Sequence, residues 1–236
     1  MLGEPELTRR HEDGRELPLL VWRPSHPLLA VGSAPLGGGI GVRHWVVNAT
    51  VPMSYDRDDP DAHLAELADQ LGLRGPGVGL LTGVDVTRVV VAADGGVRVF
   101  ATVGLGTPIW AAAPDAEAAG AEPGSTVDSP VATGPPARVG TVNFVAFVPV
   151  RLSDAALVNA VATVTEAKAQ AIRELGLPAT GTATDAVTVL CPVDGPVDRP
   201  ATRYGGPRSA WGAPLARAAH RAIHLGQMTG SGPSGG

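Results

Sequence analysis

Thr141-Val142-Asn143-Phe144-Val145-Ala146-Phe147-Val148 is a run of β-branched and aromatic residues that reads as a buried strand. Ser153 follows as a helix cap, and Leu157, Val161, Val164, Lys168, Ile172 and Leu175 recur at helical spacing up to Gly176. Ala179-Thr180-Gly181-Thr182-Ala183-Thr184-Asp185 then leads into a second strand, Ala186-Val187-Thr188-Val189-Leu190. Strand, helix and strand in succession place the chain in the α/β class.

The first half carries a similar succession. Trp45-Val46-Val47-Asn48-Ala49-Thr50-Val51 reads as a strand, and Asp59 and Pro60 open a helix. Leu64, Leu67, Ala68 and Leu71 give that helix its apolar face, and Gly72 ends it. Strand signals return from Val78 to Val91, with a break near Val84, and from Val97 to Val103. Asp94-Gly95-Gly96 is the turn between these last two, so the sheet is expected to be mixed, with flanking helices.

The halves match in detail. Val47-Asn48 parallels Val142-Asn143, Leu71-Gly72-Leu73 parallels Leu175-Gly176-Leu177, and Thr82-Gly83-Val84-Asp85 parallels Thr182-Ala183-Thr184-Asp185. The chain has three asparagines, and two of them occupy these equivalent places. An internal pseudo-duplication follows, predicting two β-α-β units about a pseudo-dyad where the Asn and Thr-x-x-Asp elements converge.

Around this frame, residues 1–29 read as an N-terminal extension whose run Leu17-Pro18-Leu19-Leu20-Val21-Trp22 is an edge strand. Residues 30–225 form a single domain, closed by a helix from about Ala213 to Leu225. Residues 111–138, rich in Ala, Pro, Gly and acidic residues, are expected to be a disordered insertion, and 226–236 a flexible tail.

Composition excludes several classes. A net charge of −5 with scattered arginines offers no footprint for nucleic acid. The single cysteine, Cys191, rules out a disulfide framework and a cysteine metal cluster. No signal peptide or long apolar span is visible, so a cytoplasmic protein without membrane association is expected. Of 18 basic residues only Lys168 is a lysine, which singles out a position where a compact, tunable ammonium is kept in place of a guanidinium.

No Walker loop, Gly-x-Ser-x-Gly elbow or His-Glu-x-x-His is present, and no nucleotide cofactor or metal is expected. Ser33 precedes the loop Gly37-Gly38-Gly39-Ile40-Gly41, a nucleophile beside backbone N–H donors or an ordinary turn serine. His44 is a candidate base near the same loop. His220 and His224 stand one helical turn apart with no third ligand at a metal-binding spacing, and read as a solvated helix face. Asp56, Asp58, Asp59 and Asp61 read as a helix N-terminal cluster. The 179–185 loop is different in kind: three hydroxyls and a carboxylate enter a buried strand, where polar groups have to be bonded or used.

These residues carry a family resemblance. Ser33-Ala34-Pro35-Leu36-Gly37-Gly38-Gly39, Trp45-Val46-Val47-Asn48, Asp59-Pro60, Gly79-Leu80-Leu81-Thr82, Gly140-Thr141-Val142-Asn143, Thr165-Glu166-Ala167-Lys168-Ala169, Ala179 to Asp185, and Tyr204-Gly205-Gly206-Pro207 resemble, in order, the adenosylcobinamide amidohydrolase (CbiZ) family. Ser209 stands where a Thr is usual, and Trp211 replaces a smaller apolar residue. The resemblance implies hydrolysis, in corrinoid salvage, of the amide joining a corrin propionyl side chain to aminopropanol.

The chemistry of amide hydrolysis then assigns Lys168, Asp185, Glu166 and a hydroxyl of Thr182, Thr184 or Ser33 as catalytic candidates. Asn48, Asn143, Gly38, Gly39, Thr82, Asp85, Gly206, Ser209 and His44 are the candidates for holding substrate. Gly140-Thr141, opening a strand after the linker, is also the setting in which self-cleaving amidohydrolases expose a threonine nucleophile. The alternative to an enzyme is a non-catalytic corrinoid carrier, and a homo-oligomer is left open. The corrinoid is substrate, with no cofactor expected.

Overall fold

The computed structural model describes residues 2–113 and 140–230. The expected insertion therefore lies almost wholly outside the described residues.

Among the described residues ten strands form two sheets. The first has the order β1 (Glu6–Glu12), β2 (Arg15–Trp22), β5 (Val46–Thr50), β6 (Val78–Thr82). The second runs β4 (Gly39–Arg43), β3 (Leu28–Gly32), β10 (Ala186–Pro192), β9 (Gly140–Phe147), β8 (Val97–Leu105), β7 (Val90–Asp94). Helix α1 (Pro60–Gln70) joins β5 to β6, and α2 (Asp154–Glu174) joins β9 to β10. A short α3 (Pro200–Arg203) precedes α4 (Gly212–Gly230).

Alternation along the strands sorts the apolar residues into three layers of core. Leu20, Trp22, Val46 and Leu80 of the first sheet face Leu28, Phe100, Val145 and Leu190 of the second, with Trp22 edge-on to Phe100 at 5.4 Å. Val47, Ala49 and Leu67 pack α1 on the outside of the first sheet. Val99, Phe144 and Val189 pack with Leu157, Val164, Leu215 and Ile223 of α2 and α4 on the outside of the second. The layers are therefore helix, sheet, sheet, helices.

The pseudo-duplication is present and reaches further than expected. Parallel pairs β5–β6 and β9–β10 each enclose a helix, and each is preceded by an antiparallel hairpin, β1–β2 or β7–β8. Leu20 pairs with Asn48 as Thr102 pairs with Asn143. The β3–β4 hairpin of the first half breaks the symmetry: β3 pairs antiparallel with β10 and extends the sheet of the second half.

Four expectations need correction. Leu17–Trp22 is not an edge strand, because β2 lies between β5 and an outer strand, β1. The loop expected over residues 37–41 becomes a strand, β4, at Gly39, whereas the break expected near Val84 is present, with a 3-10 turn (Val86–Arg88) between β6 and β7. The two Thr-x-x-Asp elements are not equivalent: Thr82 ends β6, whereas Thr182–Asp185 precedes β10. Gly226–Gly230 continues α4 and is not part of a loose tail.

Helix ends follow the sequence signals with one exception. Ser153 Oγ accepts from Ala156 N at 3.2 Å, and Gly176 takes φ 78° beyond the end of α2. Asp59 stands at the α1 cap, but its carboxylate accepts both Nε and Nη2 of Arg57 at 2.8 Å and does not cap the helix. On α1, His63 is buried between Tyr55 Oη at Nδ1 and Glu12 Oε1 at Nε2, each 3.1 Å away. Burial pushes its imidazole below the ordinary value, against the opposing pull of Glu12.

Candidate active site

The site grows from one end of the second sheet. Asp185 stands immediately before β10, and its two carboxylate oxygens are surrounded by donors. Oδ1 accepts from Val142 N at 2.9 Å and from the Thr182 hydroxyl; Oδ2 accepts from Thr182 N at 3.0 Å and from Lys168 Nζ. Lys168 reaches it from the inner face of α2, and both side chains are at most 10% exposed. Four donors fill the four lone-pair positions of a carboxylate, so this charge is anchored as well as paired.

Gly181 lets the loop pass. A Cβ there would lie 2.5 Å from both Asp185 Oδ2 and Lys168 Nζ. The loop is pinned from outside by the segment before the undescribed residues: Ile109 N donates to Gly181 O at 2.8 Å, and Ala111 N to Thr180 Oγ1 at 3.0 Å. Beside the ion pair, Thr141 Oγ1 and Thr184 Oγ1 are hydrogen-bonded at 2.9 Å. Ser33 joins the same end, its hydroxyl accepting from Val187 N at 3.2 Å.

Behind these groups lies the pseudo-dyad. Asn143 Nδ2 donates to Asn48 Oδ1 at 3.0 Å and to Leu81 O at 2.8 Å, and Asn48 Nδ2 donates to Thr102 Oγ1 at 3.2 Å. Both asparagines are buried, and Asn143 Oδ1 has no partner among the described residues. The predicted convergence of the two asparagines is thus a direct contact across the two sheets.

Other predicted residues lie elsewhere. Glu166 is exposed and faces α4, because two residues along a helix turn it away from Lys168. The carboxylate of Asp85 is used locally, accepting from Thr87 N and Thr87 Oγ1, and Thr82 Oγ1 accepts from Val84 N. Ser209 Oγ donates to Gly206 O and accepts from Gly212 N, capping α4. His44 is tied to Pro76 O through its N–H and lies over Gly75, not over Ser33. The carbonyls of Gly37 and Gly38 both accept from the Arg43 guanidinium, while Gly39 takes φ 75°. Cys191 is buried, and burial pushes its thiol up.

Two features escaped the sequence reading. Thr102 partners Asn48, a pairing that only strand register reveals. Glu174 supplies the third group beside His220 and His224: its Oε2 lies 2.6 Å and 3.5 Å from their Nε2 atoms. These residues are 46 or more apart in the chain, beyond the reach of spacing arguments.

A buried ammonium on α2 facing an anchored carboxylate at the start of β10, with one threonine hydroxyl hydrogen-bonded to that carboxylate, is a set of groups suited to hydrolysis of an acyl bond. The chain belongs to the adenosylcobinamide amidohydrolase (CbiZ) family, whose model matches residues 4–231. That span takes in β1 and β2, which lie in the stretch read from the sequence as an N-terminal extension. It is 28% identical over 199 residues to the adenosylcobinamide amidohydrolase of Methanosarcina mazei, covering 82% of this chain and 88% of that one. A Halobacterium salinarum protein of the same name is 37% identical over 145 residues, 60% of this chain and 57% of the relative. Among the described residues no helix is long and apolar enough to cross a membrane.

Proposed function

We propose that this chain is an adenosylcobinamide amidohydrolase in which Thr182, Asp185 and Lys168 perform the hydrolysis. Membership of the family supports the substrate and the reaction, and the buried Lys168–Asp185–Thr182 constellation carries the assignment of roles.

The Thr182 hydroxyl donates to Asp185 Oδ1, which polarises it for attack and leaves its oxygen lone pairs free. In the proposed sequence Thr182 Oγ bonds to the amide carbon and its proton passes to Asp185. The Lys168 ammonium, which holds two further protons, stabilises the negative charge developing on the carbonyl oxygen. The C–N bond then breaks, and aminopropanol leaves with a proton from Lys168. Water, deprotonated by Lys168, attacks the ester carbon; the bond to Thr182 Oγ breaks, Asp185 returns its proton to that oxygen, and adenosylcobyric acid departs, its carboxyl proton passing to the released amine.

Ser33 and the Thr141–Thr184 hydroxyl pair line the same end and serve to orient the substrate's amide arm. Asn48 and Asn143, buried and bonded to each other, act by holding β5 against β9. Gly38 and Gly39 shape the outer loop, with Gly206 and Ser209 setting the start of α4.

The test incubates the purified protein with adenosylcobinamide and follows products by mass spectrometry. Adenosylcobyric acid and aminopropanol are expected from the native chain. Thr182→Val, nearly isosteric, should lose turnover while keeping corrinoid binding. Full turnover in Thr182→Val overturns its role as nucleophile. Tight corrinoid binding without any product from the native chain overturns the enzyme reading in favour of a carrier.

A further inference from the structure

Helices α2 and α4 lie side by side on the outer face of the second sheet, and their polar edges meet at one place. The last residue of α2, Glu174, faces His220 and His224, which are one turn apart on α4. Gln170 Nε2 donates to Glu174 Oε1 at 2.7 Å, which fixes the carboxylate so that Oε2 meets the imidazoles. His220 Nε2 is hydrogen-bonded to that oxygen at 2.6 Å. His224 Nε2 lies 3.5 Å from the same oxygen and is buried without a hydrogen-bond partner among the described residues.

One carboxylate oxygen thus serves two imidazole nitrogens and satisfies one of them. A buried unpaired ring nitrogen is unfavourable in either tautomer, and a cation accepting a lone pair from each removes the conflict. We propose that Glu174, His220 and His224 bind a divalent cation of the zinc type, clipping α2 to α4.

The geometry suits that ion. With bonds of about 2.0–2.2 Å, ligand atoms of a tetrahedral zinc stand roughly 3.3 Å apart. The Glu174–His224 separation of 3.5 Å already matches this, and all three ligand atoms lie within 4.8 Å of one another. The Glu174–His220 edge opens by a small rotation of the half-exposed glutamate. Gln170 is the outer partner that orients a ligating carboxylate. Two imidazoles and one carboxylate leave a coordination position open. His220 and His224 also line a cavity of about 770 Å³ with Glu166, Gln170, Arg217 and Arg221, so that position is reached from the cavity and takes water or an anionic donor.

The site is separate from the Lys168–Asp185 pair. Glu174 lies six residues beyond Lys168, about 9 Å along the axis of α2, and faces α4 where Lys168 faces β10.

The experiment strips the full-length protein with chelator and titrates Zn²⁺ against a chromogenic competitor, alongside His220→Gln, His224→Gln and Gln170→Ala. Far-UV circular dichroism in chelator confirms that each variant is folded. One equivalent of zinc is expected to bind the native chain and raise its melting temperature. Either histidine variant should weaken binding by about 100-fold and lose that rise, and Gln170→Ala should weaken it by about tenfold. Failure of the native chain to take up one equivalent at micromolar zinc overturns the proposal, as does unchanged affinity in both histidine variants.

Discussion

Replacing Lys168 by Met keeps the aliphatic stem and removes the ammonium from a pair in which both side chains are at most 10% exposed. Breaking a buried ion pair from one side costs about 3–5 kcal/mol when the remaining charge is left bare. Asp185 is not left bare, because Val142 N, Thr182 N and the Thr182 hydroxyl still donate to it. The loss expected for Lys168→Met is therefore at or below the bottom of that range, about 2–3 kcal/mol. Asp185→Ala is the harsher change. It strands the ammonium together with the N–H groups of Val142 and Thr182, and about 4–5 kcal/mol is expected. For a domain of this size each kcal/mol moves the melting temperature by about 2–4 °C, so the variants should fall by roughly 4–12 °C and 8–20 °C. Urea titration at neutral pH with circular dichroism gives the free energies, and the double variant gives the coupling. Equal destabilisation by the two single variants, or none from Lys168→Met, would refute the view that Asp185 is anchored by three donors besides the lysine.

Gly181→Ala places a methyl 2.5 Å from both charged atoms of the pair and should cost roughly 1–3 kcal/mol and most of the turnover, whereas Gly3→Ala, with open space around it, should stay within about 0.5 kcal/mol. Asn143→Ala removes the donor to Asn48 Oδ1 and Leu81 O and should cost about 2–3 kcal/mol, with Asn48→Ala adding much less than its own single effect because the two share one network. His63 is buried with its proton affinity lowered, so below the unfolded value of 6.5 the unfolded chain binds the extra proton first. Stability is therefore fully present above that pH and falls as pH drops toward the lower folded value; a melting series from pH 7.5 to 5 should be flatter for His63→Gln. Asp59→Asn should leave the melting temperature essentially unchanged, since its ion pair with Arg57 lies at the solvent boundary and no helix N–H relies on the carboxylate.

How much of this was legible in the sequence depends on what each element buries. Both β-α-β units were visible, because Pro60 and Gly72, and Ser153 and Gly176, mark helix ends by backbone chemistry that acts locally. Strands β1, β3 and β4 were not. β3 is a short apolar run with no alternation of its own, and β1 and β4 are sheet edges. β1 is built from Glu6, Arg9, Arg10 and Glu12, and in β4 the alternating Ile40 and Val42 are exposed beside glycines, so neither edge buries an apolar face. The repeated Thr-x-x-Asp was a coincidence of letters, since a turn after a strand and a loop before one use the same side chains for different bonds. At the site, the lone lysine and the hydroxyl-rich loop pointed to each other correctly, and polar residues entering a buried strand did need partners. Helical spacing alone separates Glu166 from Lys168, whereas the place of His44, over Gly75, depends on which way a neighbouring loop turns.

The β3–β4 hairpin has a consequence for how the chain is made. Residues 28–43 leave the ribosome early, yet the strand that β3 pairs with ends at residue 192, and the Ser33–Val187 contact spans 154 positions. Throughout most of synthesis β3 has a bare flank, a row of unpaired N–H and C=O groups waiting for β10. Closing so long a loop is slow, and an unpaired strand edge is where a nascent chain sticks to its neighbours. The hairpin's Gly-rich, Arg43-bearing outer strand guards one side of it during that wait; the other stays open until the second half arrives.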